Sequence, residues 1–154
     1  MADVYYRVSG QPTATFTSCG PGSSNLPICL GNAYMDSVPF LAITGNVPTS
    51  QFNRGAFQEL YRHYQADFPS TVQAYCKRVY QPTRGEQVPL MIRQAWKTMV
   101  TGRPGPVLID IPKDIQFAKG KYIKPKKLKN NKTKTNITFN GQDKDIEVAV
   151  ELIK

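Results

Sequence analysis

Short apolar runs along the chain alternate with segments of helical periodicity. Residues 40–44 and 106–111 are nearly continuous apolar runs, and residues 13–17 are rich in β-branched side chains. Runs of this length are typical of strands, and continuous apolar runs are typical of strands buried on both faces. Residues 74–80 form a weaker run of the same kind. We therefore expect four strands, at 13–17, 40–44, 74–80 and 106–111.

The clearest helical pattern covers residues 86–101, where apolar side chains recur at helical spacing: Val88, Met91, Ile92, Ala95, Trp96, Met99 and Val100. Thr83 to Glu86 resembles a capping box. Pro89, however, belongs in the first turn of a helix and favours a start slightly after residue 86. Further helices are predicted from Ser23 or Ser24, whose hydroxyls can cap the first turn, to Met35, and over residues 56–64.

Strands that alternate with helices predict an α/β fold. We expect a three-layer sandwich in which helices flank a mainly parallel central sheet. The loops at 18–22, at 45–58 and after 111 all follow predicted strands. Since ligands of parallel sheets bind at the carboxyl ends of the strands, these loops are expected to converge on one crevice.

The net charge of +9 comes from one segment. Residues 119–134 contain eight lysines and no acidic residue, and the rest of the chain has 12 basic and 11 acidic residues. Because no aromatic ladder accompanies the lysines, we interpret residues 118–141 as a solvated linker, with a tether to nucleic acid or an acidic membrane as the alternative. From Asp143 a helical pattern resumes, and residues 142–154 are expected to begin another domain.

The remaining composition excludes several classes of protein. No apolar run approaches the ~18 residues that cross a bilayer, and no signal peptide precedes residue 13, so we expect a cytoplasmic protein without a membrane segment. The cysteines, Cys19, Cys29 and Cys76, show no paired spacing, and the single histidine is His63. A metal site or disulfide framework is therefore not predicted. Cys29 lies in an apolar helical run and is expected to be buried.

A glycine-rich turn, Ser18-Cys19-Gly20-Pro21-Gly22, joins the first predicted strand to the following helix. Glycines let a ligand approach the backbone closely, and a helix start offers unpaired N–H groups. By itself the turn is a weak signal, and it lacks the lysine of a phosphate-binding loop.

Several blocks in fixed order make the pattern specific. They are Ala2-Asp3-Val4-Tyr5-Tyr6-Arg7, the Gly20-Pro21-Gly22 turn with Asn25, Ile43-Thr44-Gly45-Asn46-Val47-Pro48, Ala56-Phe57-Gln58-Glu59, and Gly102 to Gln116. Residues 2–116 thereby resemble the pyrimidine-binding domain of the thiamine-diphosphate-dependent enzymes of the acetolactate synthase type. The resemblance implies a domain over residues 1–117 that lacks its first part.

The resemblance also implies site residues. Gly20, Pro21 and Gly22 would border the aminopyrimidine ring of thiamine diphosphate, with Asn25 and either Thr17 or Ser18 beside it. Gln58 would lie near the reactive carbon, as a catalytic residue that also touches the cofactor, and Phe57 would line the substrate side. Pro48 and Lys77 correspond to the substrate channel. Phe57 as a core residue and Asn25 as a helix cap are the alternatives.

The activity implied is decarboxylation and carboligation of 2-keto acids such as pyruvate, in branched-chain amino acid biosynthesis, by a homodimer or higher oligomer. In this family Mg²⁺ and FAD bind other domains, and a catalytic glutamate precedes the segment that Met1 begins. We therefore expect the chain alone to be inactive.

Two departures keep other reactions open. Cys19 is an insertion, and Asn53-Arg54-Gly55 replaces the usual Gly-Thr-Asp. The alternatives are a keto-acid decarboxylase, a sulfoacetaldehyde acetyltransferase, or a non-catalytic interaction module.

Overall fold

The computed structural model describes residues 1–55, 57, 59, 67–120, 147, 148 and 150–152. Its strands are β1 (Thr13–Thr17), β2 (Phe40–Asn46), β3 (Arg78–Tyr80) and β4 (Val107–Pro112). Its helices are α1 (Ala2–Ser9), α2 (Pro21–Ser24), α3 (Leu26–Met35), α4 (Phe68–Val72), α5 (Val88–Val100) and α6 (Lys113–Gln116). Single turns of 3₁₀ helix lie at Thr49–Gln51, Gln73–Tyr75 and Gly85–Gln87.

The four strands form one parallel sheet in the order β1-β2-β4-β3. The register places Thr17 beside Thr44, and Thr44 beside Asp110, in one row across three strands. With helices on both faces, the sheet confirms the predicted α/β fold with parallel strands.

One face of the sheet packs against α3 and α4. Phe40 and Ala42 of β2 and Leu108 of β4 contact Leu30 of α3 and Val72 of α4 in a single buried cluster. Leu30, Ala42, Val72 and Leu108 have no measurable exposure to solvent. Burial of these side chains contributes about 1.5–3 kcal/mol for each large one, so this layer is a principal source of stability.

The opposite face packs against α5. Leu41 of β2 and Val107 and Ile109 of β4 contact Ala95 and Met99, which are fully buried. The predicted apolar stripe of α5 is only partly covered, since Ile92 and Trp96 remain 37% and 40% exposed. The helix begins at Val88 with Pro89 in its first turn, which confirms the start that the proline favours.

Three local expectations were wrong. Residues 73–75 form a 3₁₀ turn, and β3 covers only Arg78–Tyr80. Pro106, beside the start of β3, has no N–H to extend the ladder. Gln87, not Glu86, closes the turn before α5, because its side-chain oxygen accepts from the Thr83 N–H at 2.9 Å. Cys29 is exposed, because Leu26, Leu30 and Ala33 form the buried side of α3.

The contacts divide the chain into two compact units, residues 1–124 and 125–154. In the second unit, residues 147, 148 and 150–152 are helical, as the pattern from Asp143 predicts. The predicted helix at 56–64 and most of the linker lie outside the described residues. The domain boundaries at 117 and 141 stay predictions. Among the described helices, none is both long and apolar enough to cross a membrane.

Candidate functional site

The carboxyl ends of the strands form an edge bordered by three polar loops. β1 ends at Thr17, β2 ends at Asn46 and β4 ends at Pro112, and the last residues of β2 and β4 lie side by side. The loops at 18–20 and 45–53 and helix α6 surround this edge. The expectation that these loops converge is therefore confirmed.

Two depressions open at this carboxyl edge and share the wall formed by Cys19, Gly45 and Asn46. The first encloses about 410 Å³, including solvent at its mouth, on the α3 side of the sheet. Its further lining includes Gly20, Ser23, Phe52, Asn53, Gln81 and Asp110. The second is wider, about 1200 Å³ by the same measure, and lies on the α5 side. Its further lining includes Phe16, Thr17, Ser18, Ile43, Ile111 and Phe117.

The turn after β1 requires glycine at residue 20. Gly20 has φ 59° and ψ −118°, a conformation that residues with a Cβ avoid. It precedes α2, which begins at Pro21. The helix predicted to begin at Ser23 or Ser24 begins instead at Leu26, as α3, and neither serine caps it: Ser23 and Ser24 both donate to the Gly20 carbonyl, at 3.0 and 2.9 Å. In α2, proline at the first position and Gly20 before it replace the side-chain cap.

The other residues predicted to touch the pyrimidine ring lie around the same turn. Thr17 and Ser18 line the second depression and Gly20 lines the first. Pro21 is exposed on α2, and Asn25 donates its amide to the Pro21 carbonyl at 2.8 Å. A Cβ at Gly22 would lie 3.2 Å from the Ser18 Cβ, so Gly22 permits close packing of the turn. The structure thus groups these residues at one corner of the carboxyl edge.

Gln58, the central residue of the predicted catalytic pair, lies outside the described residues. Its neighbour Phe57 is 88% exposed, which is inconsistent with a core role within this chain. Glu59, on the other side, lines the first depression together with Gly20. Its two carboxylate oxygens accept from the Asn53 and Gly55 N–H groups, at 2.6 and 3.0 Å.

Asp110 is a residue that sequence reasoning missed. It is 1% exposed at the carboxyl edge of β4. Its carboxylate accepts from Thr44 Oγ1 at 2.6 Å, Asn46 Nδ2 at 2.6 Å and Gln81 Nε2 at 2.8 Å. Burial raises the pKa of this carboxyl, and the three hydrogen bonds oppose that rise. The sequence feature that could have indicated this role is an acidic residue within the apolar run of β4.

Pro48 belongs to the loop that follows β2, and Asp114 of α6 fixes that loop. The Thr49 N–H and hydroxyl donate to the two Asp114 oxygens at 3.0 and 2.6 Å. These hydrogen bonds lower the pKa of the Asp114 carboxyl. Pro48 is half-buried and follows Val47, whose N–H donates to Asn46 Oδ1 at 2.8 Å.

Lys77 lies at the opposite end of the sheet. Its Nζ donates to the carbonyls of Thr98 and Thr101 at the end of α5, at 2.5 and 2.6 Å. Its backbone N–H donates to the Pro106 carbonyl, just before β4 begins. Burial lowers the pKa of this ammonium group. Within this chain, the structure does not bring Lys77 to the carboxyl edge.

The carboxyl edge fits a flat ring that carries polar groups. A Cβ built on Gly45 would meet Gln116 Nε2, Cys19 N and Thr17 O at 3.5–3.9 Å, so the ends of β1 and α6 lie within van der Waals contact of any side chain at this position. Among the described residues, Thr15 Oγ1 and Thr17 Oγ1 are buried hydroxyls with no hydrogen-bond partner, and of the two only Thr17 lines a depression. Apolar walls with a few polar groups at the rim are typical of cofactor sites.

No cluster of three or more His, Cys, Asp or Glu side chains that could hold a metal occurs in the part of the chain that the structure describes. The acidic groups at the carboxyl edge are instead engaged by donors of the protein, as Asp110 and Asp114 show.

Residues 1–66 match the family model of the thiamine pyrophosphate enzyme N-terminal TPP binding domain. The chain is 37% identical to an acetolactate synthase of Arthrospira platensis over 152 residues, which are 99% of this chain and 25% of that protein. It is 40% identical to the chloroplastic acetolactate synthase of Arabidopsis thaliana over 115 residues, 75% of this chain and 16% of that protein.

The mitochondrial catalytic subunit of acetolactate synthase from Saccharomyces cerevisiae is 37% identical over 118 residues, 77% of this chain and 16% of that protein. The chain spans about a quarter or less of the length of these curated relatives. Residues 1–66 include the turn at Gly20, the Gly45 wall and the loop that carries Pro48. The chain therefore belongs to the thiamine pyrophosphate enzymes, as a segment of the acetolactate synthase-like type.

Proposed function

We propose that this chain contributes the aminopyrimidine side of a thiamine diphosphate site. The observation that carries the proposal is the pair of depressions at the carboxyl edge, which are lined by Gly20 and Gly45 of the matched residues 1–66. The bound cofactor would supply the electron sink for decarboxylation of a 2-keto acid. The chain's own residues would bind and orient its ring.

Each residue of the turn would have a limited role in this proposal. Thr17 Oγ1, a buried hydroxyl without a partner in the described structure, would pair with a polar group of the ring. Gly20, Pro21 and Gly22 would border it, with Ser18 and Asn25 beside them. Gln58 and Phe57 keep the roles that the family resemblance implies, as predictions.

A titration of the ¹⁵N-labelled chain with thiamine diphosphate tests the binding. We expect amide shifts to change at residues 17–22 and 44–46 on saturation. Gly45→Val should weaken binding at least tenfold, because its side chain fills the wall shared by both depressions. Gly120→Val is the matched control, since a Cβ there meets nothing within 4 Å. Shifts confined to the lysine segment would contradict the proposal.

The reaction of the whole enzyme is also part of the proposal. We propose decarboxylation and carboligation of a 2-keto acid such as pyruvate, in branched-chain amino acid biosynthesis, by an assembly that contains the segments the relatives have beyond this quarter of their length. Mg²⁺ and FAD would be bound by those segments. A chimera in which residues 1–116 replace the matching part of the Arthrospira platensis enzyme tests this reaction. Its formation of acetolactate from pyruvate is measured, with the unaltered enzyme as control. A folded chimera that makes no acetolactate would contradict it.

Self-association is proposed on a different observation. Large apolar side chains are exposed on α1, α3 and α5, among them Val8 (83%), Ile28 (85%), Met35 (72%) and Leu90 (57%). Exposed apolar surface of this kind favours association. We expect a dimer or larger species in light scattering coupled to size exclusion, and Ile28→Lys with Met35→Lys should weaken it. A monomer at all concentrations would contradict this proposal.

A further inference from the structure

Two carboxylates of the continuous β4–α6 segment accept hydrogen bonds from the loop that follows β2. Asp110 of β4 accepts from Asn46, whose own side-chain oxygen accepts from the Val47 N–H. Four residues later, Asp114 of α6 accepts from both donors of Thr49. The backbone of residues 46–49, including Pro48, is therefore fixed at both ends by the β4–α6 segment.

This loop continues directly into the wall of the crevice. Asn46, Phe52 and Asn53 all line the first depression. The Gln51 N–H donates to the Pro48 carbonyl at 2.8 Å, and the Phe52 N–H donates to the Thr49 carbonyl at 3.3 Å. A displacement of residues 47–49 is thus transmitted to Phe52 through one 3₁₀ turn.

The buried carboxylate of Asp110 is a costly way to hold a loop. In the described part of the chain, its hydrogen-bond donors are neutral, and it forms no ion pair. Burial of a charge without a counter-charge opposes folding, and apolar side chains in place of Asp110 and its three donors together would fill this site at lower cost. Three neutral donors converging on one carboxylate fix the orientation of each donor, which an apolar residue does not do.

We propose that Asp110 and Asp114 are positioning residues that hold the 46–49 loop in the conformation that binds the ligand of the crevice. This proposal rests on the proposed function for the identity of that ligand. Neither carboxylate is a catalytic residue, because each acts through a residue of the loop. Asp110 acts through Asn46, and Asp114 acts through Thr49.

The exposed carboxylate gives the first test. In the full chain, Asp114→Ala should weaken thiamine diphosphate binding at least threefold and speed hydrogen exchange at the Val47 and Gln51 amides. The urea midpoint should change no more than in the control Asp36→Ala, another exposed carboxylate, which pairs with Arg7 away from the crevice. Loss of affinity without loss of stability is a result that a purely structural role does not produce.

A swap of side chains gives the second test. In Asp110→Asn, the side-chain amide of residue 110 faces the side-chain amide of Asn46. We expect this variant to bind thiamine diphosphate at least tenfold more weakly. Adding Asn46→Asp restores a carboxylate and an amide facing each other, and the new carboxylate still accepts from the Val47 N–H. The double variant should recover most of the affinity, even if the single variant folds poorly.

The outcomes separate the two proposals. Binding by the unaltered chain that neither Asp114→Ala nor the Asp110→Asn series changes would overturn the positioning role and leave the proposed function intact. If the unaltered chain does not bind thiamine diphosphate, the proposed function is overturned, and so is the identity of the ligand in this inference. Unchanged exchange at Val47 and Gln51 in Asp114→Ala would overturn the positioning role whatever the ligand.

Discussion

The two edges of the parallel sheet are built in opposite ways. At the amino edge, cationic side chains close the ends of the helices: Lys77 donates to carbonyls at the end of α5, and Arg103 donates to the Tyr34 and Met35 carbonyls of α3. At the carboxyl edge, two depressions are lined by glycines, by an acid surrounded by neutral donors and by a threonine whose hydroxyl has no partner in the described structure.

The difference follows from chain direction. Helices that connect parallel strands end near the amino edge, and their last carbonyls carry partial negative charge that Lys and Arg neutralise. The carboxyl edge has no such helix carbonyls to neutralise, so its loops can be arranged around a ligand. The edge where Lys77 and Arg103 lie therefore contributes to stability, and the edge around Gly45 is the one for which we propose binding.

The largest expected contrast is between a buried cysteine at the amino edge and an exposed cysteine on α3. Cys76, before Lys77, is buried, and burial raises the pKa of its thiol to about 12. At pH 8 its thiolate fraction is then about one in ten thousand, so alkylation of Cys76 should be at least about a thousandfold slower than that of exposed Cys29. Mass spectrometry after timed iodoacetamide treatment measures both rates. Comparable rates would show that the amino edge opens.

In the same experiment, Cys19 reports on the carboxyl edge. Its thiol lies in the wall shared by both depressions and is half-buried. Saturating thiamine diphosphate should slow the alkylation of Cys19 and leave that of Cys29 unchanged. Slowing at both cysteines would indicate a general effect on folding.

The next largest effect is expected from Asp110→Leu. The substitution leaves the donors of Thr44, Asn46 and Gln81 without their acceptor at a buried position, which should lower the free energy of unfolding by about 3 kcal/mol. Urea denaturation followed by the fluorescence of Trp96 measures this change. Asp36→Ala, at an exposed carboxylate, should change it by less than about 1 kcal/mol. If Asp110→Leu leaves the free energy of unfolding unchanged, water molecules accept the hydrogen bonds of these donors in the variant.

A smaller effect is expected at the amino edge from Lys77→Met. The variant keeps the aliphatic stem but removes the donors to the Thr98 and Thr101 carbonyls, at a cost of about 1 kcal/mol. Thiamine diphosphate affinity should not change, because Lys77 lies away from the carboxyl edge. A large loss of affinity with unchanged stability would instead favour the substrate-channel role that the resemblance implies.

The smallest effect concerns pH and Asp114. Hydrogen bonds from Thr49 lower the pKa of this carboxyl below its ordinary value of 3.8, so their stabilisation is present above that pH and is lost as the pH falls through the lowered value. Because Asp114 is exposed, the gain is a few tenths of a kcal/mol. Thermal midpoints of the wild type and Asp114→Ala should differ at pH 7, and the difference should shrink as the pH falls below 3.8. A gap that widens in acid would contradict this assignment.

The elements that sequence predicted well have strong local causes. The continuous apolar runs of β2 and β4, the helical stripe of α5 and the first-turn Pro89 each fix an element by short-range geometry. The errors occur where long-range pairing decides. β3 is short because its partner strand begins after Pro106, and Cys29 is exposed because α3 turns another side toward the sheet.

The sequence by itself determined the α/β class, the order of the four strands along the chain and the glycine turn, because periodicity and glycine conformation are local properties. Only the tertiary structure decided which groups meet. It placed Asp110 where Asn46 and Gln81 donate hydrogen bonds to it, and it placed Lys77 at the amino edge. Those encounters depend on the strand order β1-β2-β4-β3, which brings together residues 21 to 66 positions apart and leaves no periodic trace along the chain.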